Sequence, residues 1–202
     1  MKVINENSLL FIYEGETEAE FYKIFFNQHL PERAIRRNYG NLKGVYNINK
    51  KVKSKIESYL LDKTSQSCNS IHVFIAYDRE GPRETESLIN IDELRVKFIE
   101  KRSRIISINE IIATQDLESW FFHDIEGIYK FLKVPKSKIN YDAFPNVEAT
   151  NNRILSELFH RYNKHYQKGR RVEGFLNSLD ILKISKNVKE LIDTLEIINK
   201  LI

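Results

Sequence analysis

The residues of this chain best suited to chemistry are carboxylates standing at the ends of apolar runs. Glu14 closes "LLFIYE", and Asp78 and Glu80 close "IHVFIAYDRE". Residues two apart in extended chain face the same side, so Asp78 and Glu80 are set to face one point. Glu14 joins them if the two runs are neighbouring strands. Three crowded carboxylates repel one another unless a divalent cation neutralises them. An all-oxygen set suits Mg²⁺ or Mn²⁺ rather than zinc. Gly15 and Gly81 each follow an acid and allow the backbone to turn beside a ligand. Glu18, one helical turn beyond Glu14, could join the same cluster. Glu16 and Glu20 read instead as acids that favour the positive end of a helix. The plainer reading of Asp78 is a turn residue after a strand.

A further acid, Glu118, sits inside "DLESWFF" among bulky apolar residues. It is either a partly buried helix acid with a local partner, or an acid that orients water at a metal or a basic residue near the site. Trp120 reads as core. Other chemistries find little support. The chain has no GxxxxGK phosphate loop, and "GETEAE" is no dinucleotide fingerprint. No G-x-S-x-G elbow occurs. His160 and His165 lack zinc spacing, and Cys68 stands in a polar loop that does not suggest a nucleophile.

The formal charge of +4 is unevenly placed. Arg33 to Lys55 holds eight Lys or Arg and no acid. "HRYNKHYQKGRR", His160 to Arg171, holds five basic residues, two tyrosines, two histidines and no acid. A solvated helix face accounts for any one such run. Two of them, interleaved with aromatics, suit phosphate backbones and stacked bases. Lys164, Lys168, Arg170, Arg171 and Tyr166 are therefore expected to contact nucleic acid, with binding by an acidic protein partner as the rival.

The elements that position these groups follow from periodicity. Leu9 to Tyr13 reads as a buried strand and Thr17 to Gln28 as a helix, with Thr17 and Glu20 spaced for a capping box. A second strand is expected at Ile35–Tyr39 or Val45–Ile48. Ile48, Val52, Ile56, Tyr59 and Leu60 recur at a helical period. Ile71 to Asp78 is the clearest buried strand, "REGPRETES" a loop, Ile89 to Lys101 a helix and Arg104 to Ile108 a short strand. This alternation predicts an α/β fold with a mostly parallel sheet flanked by helices, over residues 1–124. Beyond Asn109 the strand signals fade. "DLESWFFHDIEGIYKFL", "NNRILSELFHRY", "VEGFLNSLDIL" and "VKELIDTLEIINKLI" predict a mainly helical C-terminal part, residues 125–202, packed on the first. A composition 42% hydrophobic, with only seven Gly and four Pro, is enough for a real core. One cysteine excludes an intramolecular disulfide framework and fits a reducing compartment. With a polar opening, "MKVINENS", and no apolar run of membrane length, a cytoplasmic, non-membrane protein is expected.

These motifs together resemble the Toprim fold of topoisomerases, primases and OLD nucleases. There a glutamate ends the first strand and a D-x-D pair ends a later one, binding Mg²⁺. Glu14 matches the glutamate, and "YDRE" matches the pair with Glu80 in place of the second aspartate. The chain is more closely similar to RloB-like proteins, found beside restriction and abortive-infection genes. "YEGETEAEFYKIFF" resembles their opening E-G-x-T-E stretch. "DLESWFFHD" resembles their F-E-x-W-x-x-x-H segment at Glu118, Trp120 and His123, with Leu117 in place of an aromatic. The resemblance covers most of residues 8–124. It implies a Mg²⁺-dependent (or Mn²⁺-dependent) nuclease of anti-phage defence acting on DNA or RNA. Glu14, Asp78, Glu80 and Glu118 would be catalytic, with Glu14, Glu18, Asp78 and Glu80 on the metal. A non-catalytic module that docks on an ATPase partner, a nucleotidyl transferase and a homo-oligomeric state are the alternatives left open.

Overall fold

The computed structural model describes residues 7–31, 34–79, 88–100 and 103–202. Among them, four strands form one all-parallel sheet in the order β2-β1-β3-β4: β1 Asn7–Tyr13, β2 Arg36–Asn41, β3 Ser70–Asp78 and β4 Ile105–Ala113. Helices α1 Glu16–His29, α2 Ile48–Leu61 and α3 Lys63–Gln66 precede β3. Helix α4, Ile91–Arg95, runs into a π-helical turn, Val96–Glu100. After the sheet come α5 Leu117–Phe121, α6 Ile125–Leu132, α7 Asn152–Arg161, α8 Glu173–Leu176, α9 Ile181–Asn187 and α10 Lys189–Asn199.

The central strands β1 and β3 are apolar on both faces because both are covered, as parallel sheets require. Leu9, Phe11, Phe74 and Ala76 enter one core, while Leu10, Ile12, Val73 and Ile75 enter the other. Helix α1 brings Phe21, Tyr22, Phe25 and Phe26 to the first core. Phe21 and Phe25 are fully buried, each stabilising by roughly 1.5–3 kcal/mol. The helix stops at Leu30, extended at φ −120°, because Pro31 follows and disfavours helical geometry before it. Helix α2 lays Ile48, Val52, Ile56 and Tyr59 on the second core, with Leu94 and Phe98 beside them. The chain steps one way from β1 to β2 and the other way from β2 to β3 and β4. Connections of one hand then place α1 and the pair α2 and α4 on opposite faces, as observed.

Two local expectations are corrected. Thr17 does not cap α1. Gly15 is the N-cap, without a side-chain bond, and the Thr17 hydroxyl accepts from the Gly169 amide at 2.9 Å. Strand β4 continues past Ile108 to Ala113. Polar residues within it hid this: Glu110 accepts a 2.7 Å bond from the Tyr77 hydroxyl, and Asn109 bonds Ser107 at 3.1 Å.

The helical remainder joins the α1 face in a single core through Ile128, Leu155, Phe159, Phe175, Ile184, Leu191 and Ile198. Short polar residues cap the starts of α5, α7 and α9. Asp116 accepts from the Ser119 amide, Asn151 from Ile154 and Asp180 from Lys183, at 3.0, 3.1 and 2.9 Å. "DLESWFFHDIEGIYKFL" is thereby not one helix but α5, a 3₁₀ turn at Phe122–Asp124, and α6. Buried Asp124 fastens this break to α9, accepting from the Asp180 amide at 2.8 Å and from Lys183 Nζ at 3.2 Å. Among the described residues no helix is long and apolar enough to cross a membrane.

Candidate functional site

Strand order puts the site where it is. The chain leaves β1 toward β2 on one side and β3 lies on the other, so the carboxyl ends of β1 and β3 flank the point where sheet direction switches. In open α/β sheets that crevice is where ligands bind. Glu14 directly follows β1, Asp78 is the last residue of β3, and Asp116 and Glu118 follow β4 by a few residues.

The register Tyr13 opposite Ala76 brings Glu14 beside the end of β3. Its Oε2 accepts from the Asp78 amide at 3.2 Å. Asp78 is buried, and its Oδ1 accepts from the Leu117 amide at 3.0 Å, tying β3 to the start of α5. Glu18 is buried in the first turn of α1. Gly15 stands close to it: a Cβ there would lie 2.9 Å from Glu18 Oε2. Glu118 is entirely buried. Its Oε1 accepts from the Tyr166 hydroxyl at 2.9 Å and pairs with Lys168 Nζ at 3.3 Å, while its Oε2 has no hydrogen-bond partner.

The electrostatics follow from this crowding. Burial, opposed by a backbone hydrogen bond and reinforced by the Glu118 and Glu14 carboxylates, pushes Glu18 up to about 7. Burial, then Glu18, Glu118, Glu14 and Asp116, raises Asp78 well above its ordinary value. Burial also raises Glu118, against the pull of Lys168. Burial alone would lower the Lys168 ammonium, but Glu118, Asp78 and Asp116 outweigh it and hold it above its ordinary value. One ammonium therefore stands among several acids that resist ionising together.

The structure thus gathers Glu14, Glu18, Asp78 and Glu118 at one end of the sheet. Glu80 lies outside the described residues. Among the described residues no three acid, histidine or cysteine side chains converge tightly enough to surround an ion as they stand. The cluster fits a hard divalent cation in donor type, all carboxylate oxygen, and in the orphaned buried Oε2 of Glu118. Both readings of Glu118, a helix acid with a partner and an acid holding a basic residue, contain the Lys168 contact.

The basic block His160–Arg171 lies against the same site. Tyr166 packs edge-on to Phe159 and Phe175, at centroid distances of 5.3 and 6.0 Å, besides its bond to Glu118. Lys164 donates to the Phe131 carbonyl and lies 4.0 Å from that ring's centroid. Arg171 bonds Gln167 at 3.4 Å on the surface. The side chain of Arg170 lies outside the described set. Four of the five residues expected on nucleic acid, Lys164, Tyr166, Lys168 and Arg171, therefore have partners within the chain. His123 is half-buried beside Glu148, and Trp120 is core. Sequence reading passed over Asp116, whose Oδ2 accepts from the Asn152 amide at 2.7 Å and whose charge faces Asp78. Its signal was the D-x-x-S cap spacing of "DLES".

The family described as "Domain of unknown function (DUF4276)" matches residues 13–196, and the chain belongs to it. The match begins one residue before Glu14 and takes in every acid of the cluster. No curated protein and no solved structure matches the chain.

Proposed function

We propose that this protein is a divalent-cation-dependent nuclease of the Toprim type, hydrolysing phosphodiester bonds of DNA or RNA in anti-phage defence. The observation that carries the reading is the gathering of half-buried Glu14 with buried Glu18, Asp78 and Glu118 at the switch point of a parallel sheet, with the ionisation of Glu18, Asp78 and Glu118 opposed. Sheets rarely retain such a cluster for stability, since each unpaired buried charge costs several kcal/mol. Glu14, Glu18 and Asp78, with Glu80, would hold Mg²⁺ or Mn²⁺. When bound, the cation supplies Lewis-acid activation of water and of a phosphoryl oxygen. Lys168, held by Glu118, would meet the charge of a phosphate; its contact with Glu118 supports this role. Tyr166 fixes the Glu118 carboxylate from the other side.

A second reading has its own support. The Lys168–Glu118 pair already neutralises part of the cluster, as in a non-catalytic module that docks on nucleic acid or an ATPase. Incubation of the protein with mixed DNA and RNA in Mg²⁺, Mn²⁺ or EDTA, beside Glu14→Gln, separates the two. Cleavage abolished by EDTA and by the substitution is expected. Cleavage equal in Glu14→Gln, or absent in both metals, contradicts the nuclease reading.

A further inference from the structure

The second basic block lies on the other flank of the acids and is presented outward. The loop after β2 hangs directly on the end of β1: the Leu42 amide donates to the Tyr13 carbonyl and the Gly44 amide to the Glu14 carbonyl, both at 2.9 Å. Lys51 Nζ bonds the Lys43 and Gly44 carbonyls at 3.1 and 3.0 Å, holding the loop from below. Lys43, Gly44 and Asn47 all have positive φ, which fixes a tight turn at this point. Two residues beyond Gly44, Tyr46 stands 81% exposed. On edge strand β2, Tyr39 is 45% exposed, its ring 6.5 Å from that of Tyr13. Lys43, Lys50 and Lys55 are exposed around them, and Lys55 lies alongside Gly40. From residue 34 to 55 the sequence has seven Lys or Arg and no acid.

We infer that the β2 edge and the loop 42–47 form the track on which single-stranded nucleic acid enters the acidic site, with Tyr46 stacking on an unpaired base and Lys43 and Lys55 meeting phosphates. The charge is of the sign phosphates require, and the track ends at the Glu14 backbone. A tyrosine ring exposed this fully gains area by covering a base face, which a duplex keeps stacked and a single strand offers. An acidic protein would meet the lysines equally well but gives no use for the tyrosine faces. The substrate thus named rests on the nuclease reading, while the binding itself does not.

The test is fluorescence anisotropy in EDTA with labelled oligo-dT, oligo-U and a duplex of equal length. Wild type is expected to bind both single strands more tightly than the duplex. Tyr46→Ala should weaken single-strand binding by roughly 5- to 150-fold, the range for losing one stacked base. Tyr46→Phe should retain it. Lys43→Ala with Lys55→Ala should flatten the slope of log affinity against log salt by about 1.4, near 0.7 for each single-strand phosphate contact. Single-strand binding unchanged in both variants, preference for duplex, or binding of polyglutamate in place of oligonucleotide overturns the inference. If Mg²⁺-dependent cleavage persists with unaltered KM in Tyr46→Ala, the track fails and the nuclease stands. If binding in EDTA follows expectation but no cleavage occurs with Mg²⁺, the nuclease fails and the track stands.

Discussion

At the scale of residues, the acids at the sheet end are costly to keep charged. Asp78→Asn removes a buried charge yet leaves an oxygen to accept from the Leu117 amide. The melting temperature should stay level or rise by a few degrees, while cleavage falls by at least about 100-fold, beyond what outer partners of a metal usually contribute. A melt lowered by many degrees would make Asp78 structural instead. Gly15→Ala tests the same crowding from the backbone. Gly15 is extended, so alanine brings no strain there, but its Cβ must displace Glu18 Oε2. Little change in stability with weakened Mn²⁺ affinity is expected by calorimetry. Equal affinity would remove Glu18 from the cation site. The sign of the pH dependence follows from Glu18. Its pKa is raised by folding from 4.5 to about 7, so between those values the folded state holds more protons. The metal-free protein should therefore lose stability as pH rises from about 4.5 through about 7, and Glu18→Gln should flatten that fall in thermal melts. A rise of stability over this window would contradict the burial of Glu18.

At the scale of elements, the stretch from Tyr166 to Gly169 acts as a strap between the helical part and the start of α1. It bonds Glu118 twice and Thr17 once. Removing the ammonium by Lys168→Met leaves Glu118 buried with one partner. Because Lys168 is itself half exposed, the cost should be about 1–2 kcal/mol rather than the larger value of a fully buried pair. Glu118→Gln in the same chain should recover most of it in urea melts. Costs that simply add would show the pair to be uncoupled. This strap was not legible in the sequence. "HRYNKHYQKGRR" reads as a solvent-facing basic run, and nothing local reveals that Lys168 meets an acid 50 residues earlier. Strands β1 and β3 and helix α1 were legible because burial on both faces or on one stripe leaves a period, whereas edge strand β2, mostly polar and half exposed, stayed open between two stretches. Strand β4 was cut short because Asn109 and Glu110 find side-chain partners on neighbouring positions, which an apolar pattern cannot report. Glu14 and Asp78 stood out since an acid after an apolar run has few structural reasons. Asp116 did not, because a helix cap explains it fully.

At the scale of the molecule, one sheet carries two separate cores, and both end at the same crevice. Helix α1 and the C-terminal helices hold Glu18, Glu118 and Lys168 on one side. The β2 edge and α2 hold the outward basic loop on the other. The positive charge is therefore divided: from the C-terminal block Lys168 reaches the acids and Lys164 is held by the Phe131 carbonyl, while Lys43, Lys50 and Lys55 of the N-terminal block face out. Soaking crystals in Mn²⁺ and recording anomalous scattering at its absorption edge tests the central claim most directly. A strong peak between the carboxylates of Glu14 and Asp78, lost in Asp78→Asn crystals, is the expected result. A map with no peak at the sheet's carboxyl end, in crystals that bind Mn²⁺ elsewhere, would contradict it.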